Sequence, residues 1–324
     1  MSFPLKTYLI NLDKDVSRLK YVNNECKNNG IVPVRVPGIL GSALSDEELE
    51  KYTTHFCKLF CTKSVIGCAL SHMKCWSLIV ENDDPEAMII EDDVQFVPNF
   101  LQLFAEKYQD LPSSYDICFV GHCGPTKLID NLLDINVKIT DNIYIPKNPA
   151  CMHCYLVSNK GAKLLLQNLN KIFGHVDLEI IMSLEKFETY AFNPDLAYQK
   201  TEYRTDTNNA NIGFPHIINE YLSNIIDSEG RPIDYQLSAT LYQINGYPIN
   251  AWTFLFLLFG LILGLLFIKS ITSFYILSMI FIVFMSIEYN TDKKYYKDII
   301  GSIIMTIFGI LLSFCALKFI KNVN

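Results

Sequence analysis

Along the first two hundred residues, short apolar runs alternate with amphipathic stretches. "TYLINL" (Thr7 to Leu12) reads as a strand, followed by Asp13 and Asp15 and a helix from about Val16 that ends at Gly30, where a left-handed cap suits glycine. "IVPVRV" is the next strand, and Ser45 with Glu48 forms a capping box that starts a short helix. From Val65 to Val80, apolar residues at 66, 69, 70, 73, 76, 79 and 80 keep one face of a helix, and "EAMII" follows as a strand. "DICFVG" and "HCYLVS" give two more strands, Ser158 caps a helix containing "GAKLLLQNL", and another helix begins near Asp177. Such alternation implies an α/β sandwich with largely parallel strands, whose ligands collect at the carboxyl ends of the strands.

Beyond this region the pattern changes. Residues 208–248 carry Gly213, Pro215, Gly230, Pro232, Gly246 and Pro248 and read as an irregular connector. Three segments of membrane-spanning composition follow: Ala251 to Ile268, Ile271 to Ile287 and Ile299 to Leu317. The second makes a helix of only about 26 Å at 1.5 Å per residue and is the least secure. The organisation expected is therefore a folded domain over 1–207, a connector over 208–248 and a membrane region over 249–324.

Composition sharpens this picture. Half of the residues are hydrophobic, and the excess sits at the carboxyl-terminal end. The formal net charge of −7 argues against a nucleic-acid partner. Lysines flanking the spans do not orient them, since Lys293, Lys294 and Lys297 stand against Lys269, Lys318 and Lys321. The start "MSFPLKTYLINLD" lacks the apolar core of a signal peptide and no Asn-x-Ser/Thr acceptor occurs, so the amino-terminal domain is expected in the cytosol. Ten cysteines fit a reducing compartment, with Cys68, Cys75 and Cys118 inside apolar patterns where a thiol packs as a small hydrophobe. Cys151-x-x-Cys154 with His153 has no second pair of matching spacing, and ordinary buried thiols are the simpler reading.

The chemistry concentrates in "AMIIEDDVQF". An apolar strand that ends in Glu91, Asp92 and Asp93 needs water or a cation there, because burying an unpaired carboxylate costs several kcal/mol or more. Carboxylate oxygens suit Mn²⁺ or Mg²⁺, whose remaining positions would take diphosphate oxygens and water. Such an ion stabilises charge developing on a departing nucleoside diphosphate. A solvated strand end is the plainer alternative.

Other motifs keep the triplet company. Ile10, Asn11, Leu12, Asp13 and Arg18 open the chain; Gly67, Cys68, Leu70, Ser71, His72 and Trp76 form "GCALSHMKCW"; "CYLVSNKGAKLLL" and "HVDLEI" follow. In this ordered set the chain resembles glycosyltransferase family 25, which includes bacterial lipooligosaccharide galactosyltransferases and collagen hydroxylysine galactosyltransferases. The resemblance covers about residues 5 to 205. It implies a nucleotide-diphospho-sugar transferase fold of the GT-A type, with a Rossmann-like mixed sheet, a UDP-sugar donor and inversion at the anomeric centre. Two departures stand out: the usual members lack three carboxyl-terminal spans, and "YQKTEYRTDTNN" (Tyr198 to Asn209) keeps a Gln but matches the family's closing segment only loosely.

Roles follow from the resemblance and from charge. Asp93 is the expected metal ligand, with Glu91 as a second ligand or beside the ribose, because alternate residues leave a strand on one face; Asp92 would point away. The family match carries Asn11 and Asp13 to the donor side. Arg18 would pair with the donor phosphate or stack on uracil, unless it is an ordinary surface arginine. Ser71 and His72 lie on the polar edge of their helix, within reach of a donor or bonded to a neighbouring loop, while Leu70 and Trp76 belong to its apolar face. Inversion needs a base for the acceptor hydroxyl. The resemblance puts Asp177 there, with Glu179 as runner-up; a helix start favours the charged form of Asp177, and an N-cap is its structural alternative. The acceptor would be a glycan, lipid-linked or protein hydroxyl at the membrane. The rival function is a catalytically inactive membrane protein of the same fold that binds or assembles.

Overall fold

The computed structural model describes residues 3–123, 136–200, 215–222, 237–238, 240–291, 293 and 296–323. The chain divides into two compact units, Met1–Thr207 and Asn208–Asn324.

The first unit is built on an eight-stranded mixed sheet. Its strands are β1 (Thr7–Asn11), β2 (Pro33–Pro37), β3 (Glu86–Glu91), β5 (Ile117–Cys123), β6 (Val137–Lys138), β7 (Ile143–Ile145), β8 (Ala150–Ser158) and β9 (Thr189–Phe192), in the order β2-β1-β3-β8-β5-β9-β7-β6. A short β4 (Val94–Phe96) pairs antiparallel with β10 (Ala197–Gln199) beside it. The helices are α1 (Val16–Asn28), α2 (Asp46–Tyr52), α3 (His55–Phe60), α4 (Lys63–Glu81), α5 (Phe100–Gln109), α6 (Asn159–Asn168) and α7 (Val176–Ile181).

Strands β1, β2 and β3 are mutually parallel, with Asn11 opposite Pro37 and Ile10 opposite Glu91, so their carboxyl ends coincide. The largely parallel sheet expected from the alternation is corrected at β8, which runs antiparallel to both β3 and β5, and at β6 and β7. Residues 136–149 hold two short strands, and only four residues link β7 to β8. The consequence is functional: Ile90 pairs with Cys154, which brings the start of β8 to the carboxyl end of β3.

One face of the sheet buries Leu9, Met88, Ile90 and Leu156 against Val22 and Cys26 of α1 and Phe100 and Phe104 of α5. Helix α4 begins at Thr62, whose side chain caps Val65 N, and buries Ile66, Ala69, Leu70, Trp76 and Ile79 as its period predicts. It also buries Ser71, His72 and Cys75, so the helix lies deeper than an apolar stripe requires. Gly67 makes this possible: a Cβ there would stand 2.4 Å from Ile39 O and 2.7 Å from Gly41 N. Ser45 and Glu48 form the expected capping box on α2, and Gly30 has φ 61° after α1. Cys57 and Cys61 are joined in a disulfide, Cys151 is disulfide-bonded as well, and Cys26, Cys68, Cys75, Cys118, Cys154 and Cys315 are free.

In the second unit, α8 (His216–Leu222) and a hairpin of β11 (Tyr242–Ile244) and β12 (Tyr247–Ile249) lie in the stretch read as an irregular connector. The hairpin turns at Asn245-Gly246, both with positive φ (49° and 79°), the signature of a tight primed turn. Three helices long and apolar enough to cross a membrane follow: α9 (Ala251–Lys269), α10 (Ile271–Thr291) and α11 (Tyr296–Val323). Helices α9 and α11 approach closely at glycines; a Cβ on Gly260 would stand 2.1 Å from Thr306 O and one on Gly309 2.3 Å from Leu257 O. Glu288 of α10 accepts from His216 N (2.7 Å) and Ile217 N (3.1 Å), tying α8 to the helix.

Candidate functional site

The site forms where β1, β2 and β3 end together. After Glu91 the strand breaks into a turn at Asp92 and Asp93, so the alternation expected to send Asp92 away stops one residue too early. Both aspartates face Arg18 instead: its Nη2 lies 2.5 Å from Asp92 Oδ1 and 2.8 Å from Asp93 Oδ2. Arg18 is thus an internal counter-ion rather than a surface arginine, with its side chain 15% exposed.

Asn11 organises the same edge. Its Nδ2 donates to Asp92 Oδ2 (2.7 Å), while its Oδ1 accepts from Arg35 Nε (3.1 Å). Arg35 Nη2 reaches Asp13 Oδ1 at 2.6 Å, which leaves Asp13 mostly exposed at the rim. Asp93 is fully buried. Gln199 Nε2 donates to its Oδ2 (3.0 Å), Lys200 N donates to its main-chain oxygen (2.7 Å), and among the described residues its Oδ1 has no hydrogen-bond partner.

Burial and the neighbouring carboxylates set the protonation of the cluster. Desolvation outweighs Arg18 and lifts Asp92 to about 6; desolvation and the field of Glu91 lift Asp93 to about 8. Glu91 goes the other way: burial opposes its charge, but the hydrogen bond and field of His72, with His153 and Arg18, hold it below the usual carboxylate range.

His72 is itself fixed on both nitrogens, with Nδ1 3.1 Å from Tyr155 Oη and Nε2 3.0 Å from Glu91 Oε1. Trp76 Nε1 donates to Tyr155 Oη (2.9 Å). The tyrosine hydroxyl then has its proton to give to His72 Nδ1, and Nε2–H donates to Glu91. Ser71 is spent differently: its Oγ accepts from Ile39 N (2.8 Å) and donates to Gly67 O (2.7 Å), holding the loop after β2.

The two candidate bases separate. Asp177 is the second residue of α7, whose N-cap is His175, so it is not the cap itself. Its Oδ2 accepts from Cys151 N (3.1 Å) across the gap to β8, and Cys151 adopts φ 65°, a conformation a β-carbon disfavours. Burial pushes the Cys68 thiol well above its ordinary value, and the fields of Glu91, Asp177 and Asp93 push it the same way. Glu179 turns away: its Oε1 accepts from Phe173 N (2.6 Å) and Gly174 N (2.8 Å) and ties the loop before α7. Cys151 is disulfide-bonded, which corrects the buried-thiol reading for that residue and leaves Cys154 as the free thiol of the pair.

Three contributors escaped the sequence reading. Arg35 had a signal, the one charge in an otherwise apolar strand; Tyr155 had none, because its hydroxyl is hidden in the run "CYLVS"; Asp92 had been turned outward. The closing segment noted for its Gln lies outside the described residues from 201 to 214, apart from Tyr198 to Lys200.

Residues 5–180 match the profile of glycosyltransferase family 25 (LPS biosynthesis protein). The chain belongs to this family. Its relatives include the glycosyltransferase 25 family members of Aedes aegypti, 26% identical over 170 residues, and of Drosophila melanogaster, 26% identical over 171. These alignments cover 49% and 50% of this chain and 27% of each relative, so the family-25 chain spans about a quarter of the length of the curated proteins it matches. Among solved structures it is similar to mouse xyloside xylosyltransferase 1 in its apo form, at 12% identity and a TM-score of 0.26, over 55% of this chain and 68% of that one.

Proposed function

We propose that this family-25 chain is a membrane-anchored inverting hexosyltransferase with a GT-A-type catalytic unit. It moves galactose or glucose from a UDP-sugar to a hydroxyl of a glycan, lipid-linked or protein acceptor. The observation that carries the reading is the charge imbalance at the end of β3. Of three adjacent carboxylates, Asp92 and Asp93 share one guanidinium and Glu91 is held by His72, and the most buried, Asp93, keeps an oxygen without a hydrogen-bond partner among the described residues.

That arrangement fits a hard divalent cation such as Mn²⁺ or Mg²⁺, held by Asp93 with Glu91 as the second ligand. When bound, the ion would supply Lewis-acid stabilisation of the charge that develops on the leaving diphosphate. The protein's own groups do the rest. Arg18 keeps Asp92 and Asp93 oriented, and the Trp76–Tyr155–His72 chain holds Glu91 in its charged form. Asn11, Arg35 and Asp13 shape the rim where the nucleoside would lie, and Ser71 fixes the loop beside it. Asp177 takes the proton of the acceptor hydroxyl as its oxygen bonds to the anomeric carbon and the bond to UDP breaks. Its clamp on Cys151 N supports this role, since a base must be held still to be effective.

The catalytic unit is assigned to the cytosolic side, where UDP-sugars and lipid-linked acceptors meet. The free thiols Cys26, Cys68, Cys75, Cys118 and Cys154 favour this side, and the Cys57–Cys61 disulfide and the disulfide-bonded Cys151 oppose it. A second reading, binding without turnover, draws on Arg18, which already supplies part of the charge a metal would bring.

Calorimetric titration of UDP-galactose and UDP-glucose into the detergent-solubilised full chain, with and without Mn²⁺, tests the donor site. Metal-dependent binding that Asp93→Asn abolishes, followed by transfer to an acceptor hydroxyl, is the expected result. Binding without turnover over any acceptor class would favour the second reading; no binding to a folded chain would refute the UDP-hexose assignment.

A further inference from the structure

Cys68 and His72 stand one helical turn apart on α4, four residues from each other, and so share a face. The end of β3 brings Glu91 against that face. The Cys68 Sγ, a ring nitrogen of His72 and a carboxylate oxygen of Glu91 all lie within 4.8 Å of one another. Among the described residues this is the one group of three His, Cys, Asp or Glu side chains that converges so closely.

The ligand types differ from those of the hard-cation site. A thiolate, an imidazole and one carboxylate suit a borderline-soft ion, Zn²⁺ above all, whereas Asp93 with Glu91 offers oxygen alone. With metal–ligand bonds of about 2.0–2.3 Å, a tetrahedral ion needs ligand atoms about 3.4–3.6 Å apart, so Cys68 Sγ must close by at most roughly 1 Å while His72 Nε2 and Glu91 Oε1, now 3.0 Å apart, part slightly. Cys68 and Glu91 are partly exposed and free to make that adjustment, and their exposure gives the ion a route in. His72 is already aimed, because Tyr155 holds its far nitrogen, the arrangement that orients metal-bound histidines elsewhere. On binding, the imidazole proton passes to Nδ1 and is donated to Tyr155 Oη, which frees Nε2 for the metal. The Cys68 thiol gives its proton to solvent.

We infer that Cys68, His72 and Glu91 form a thiophilic metal site, filled by Zn²⁺ in preference to Mn²⁺ or Mg²⁺, with its fourth position open to water. Glu91 is shared with the donor-side cation, so Zn²⁺ draws it away and inhibits transfer; this consequence, unlike the binding itself, rests on the transferase reading.

The test uses the full chain in detergent, stripped of metal, and Co²⁺ as the spectroscopic probe. Wild-type protein should develop a near-ultraviolet thiolate-to-cobalt charge-transfer band that saturates at one ion per chain and is displaced by one equivalent of Zn²⁺. Cys68→Ser should lose the band and weaken Zn²⁺ binding by more than about tenfold, the loss typical of impaired metal sites. Cys315→Ser, at an exposed thiol on α11, should leave the band intact. A wild-type chain without the band overturns the site whether or not any variant folds, and so does a band that persists in Cys68→Ser. In transfer assays, each protein measured against its own activity without Zn²⁺, Zn²⁺ should inhibit wild type and spare Cys68→Ser. Equal inhibition of both would overturn the regulatory half. A chain that binds Co²⁺ through Cys68 yet transfers no sugar would refute the transferase reading alone.

Discussion

Replacing Arg18 by Met keeps most of the side-chain volume and removes only the guanidinium, so the change isolates a charge. In the metal-free protein that charge faces Asp92 and Asp93, whose side chains are 9% and 0% exposed. Removing one partner of a buried ion pair costs about 3–5 kcal/mol, because the remaining charge is left without compensation. The cost depends on pH in a defined direction. Both aspartates have folded-state values above the usual 3.8, about 6 and about 8, so between these limits the folded chain binds more protons than the unfolded one. Their contribution to stability therefore falls as pH rises through those values. Without Arg18 both move higher still, and the fall steepens. Arg18→Met should lose about 3–5 kcal/mol at pH 9 and less than about 1.5 kcal/mol at pH 5, where neutral carboxyl groups need no counter-charge.

The assay is urea unfolding of the full chain in detergent with a chelator present. Trp76 and Trp252 are its two tryptophans, so a Trp252→Phe background makes Trp76 the reporter of the first unit. Saturating Mn²⁺ should restore part of the loss at pH 9, about 2.7 kcal/mol at one hundred times its dissociation constant. A loss that is the same at pH 5 and pH 9, or below about 1 kcal/mol throughout, would show that Arg18 packs at this site without serving as its counter-charge.

The remaining expectations address other parts of the chain. Asp177→Asn should lower kcat by about 10²–10⁴ with donor binding unchanged, as measured by radiolabelled transfer, whereas Glu179→Gln should destabilise the loop at Phe173 and Gly174 and leave most activity; the reverse pattern would exchange their roles. Gly67→Ala should cost about 1–3 kcal/mol in the same urea assay, since the new methyl meets backbone at Ile39 and Gly41 rather than a movable side chain. Gly260→Leu should push α9 from α11 and abolish cross-linking between cysteines placed at Phe267 and Phe314, whose ring centroids lie 5.7 Å apart, while the analogous change at Ile276, exposed on α10, should leave it unaltered.

Local features of the fold were legible because each rests on short-range chemistry. The capping box at Ser45 and Glu48, the left-handed Gly30 and the apolar face of α4 are decided within one or two turns of chain. The direction of β8 was not, since it depends on what lies between residues 123 and 150, and an apolar nonapeptide reads the same in either direction. The Asn245-Gly246 turn carried its own signal, which the surrounding prolines and glycines obscured. At the site, Glu91 and Asp93 could be read from the run of acids, but the partners that decide their state could not. Arg18 and Gln199 come from 75 and 106 residues away, and Tyr155 reaches His72 from 83. Strand alternation misplaced Asp92 because the strand ends before it.

These long-range partners also explain why the acids stand at a strand end at all. Full ionisation of Glu91, Asp92 and Asp93 against Arg18 leaves two negative charges in a mostly buried site, and the His72 chain supplies hydrogen bonds without needing to supply charge. A cluster meant only for stability would be closed by a second arginine or lysine, as Arg35 closes Asp13 at the rim. Here the imbalance is met in the metal-free chain by a proton on Asp93, which a divalent ion would displace. Proton and dication are then competing answers to one deficit, and a diphosphate, itself negative, gains from the second answer and is repelled if the site is ionised and empty. Donor binding should therefore weaken as pH falls below about 8 at fixed Mn²⁺, with proton release on metal binding measurable by titration in buffers of different ionisation enthalpy. Donor affinity that stays level from pH 9 to pH 6 would place the cation elsewhere and leave the triplet a structural knot around Arg18.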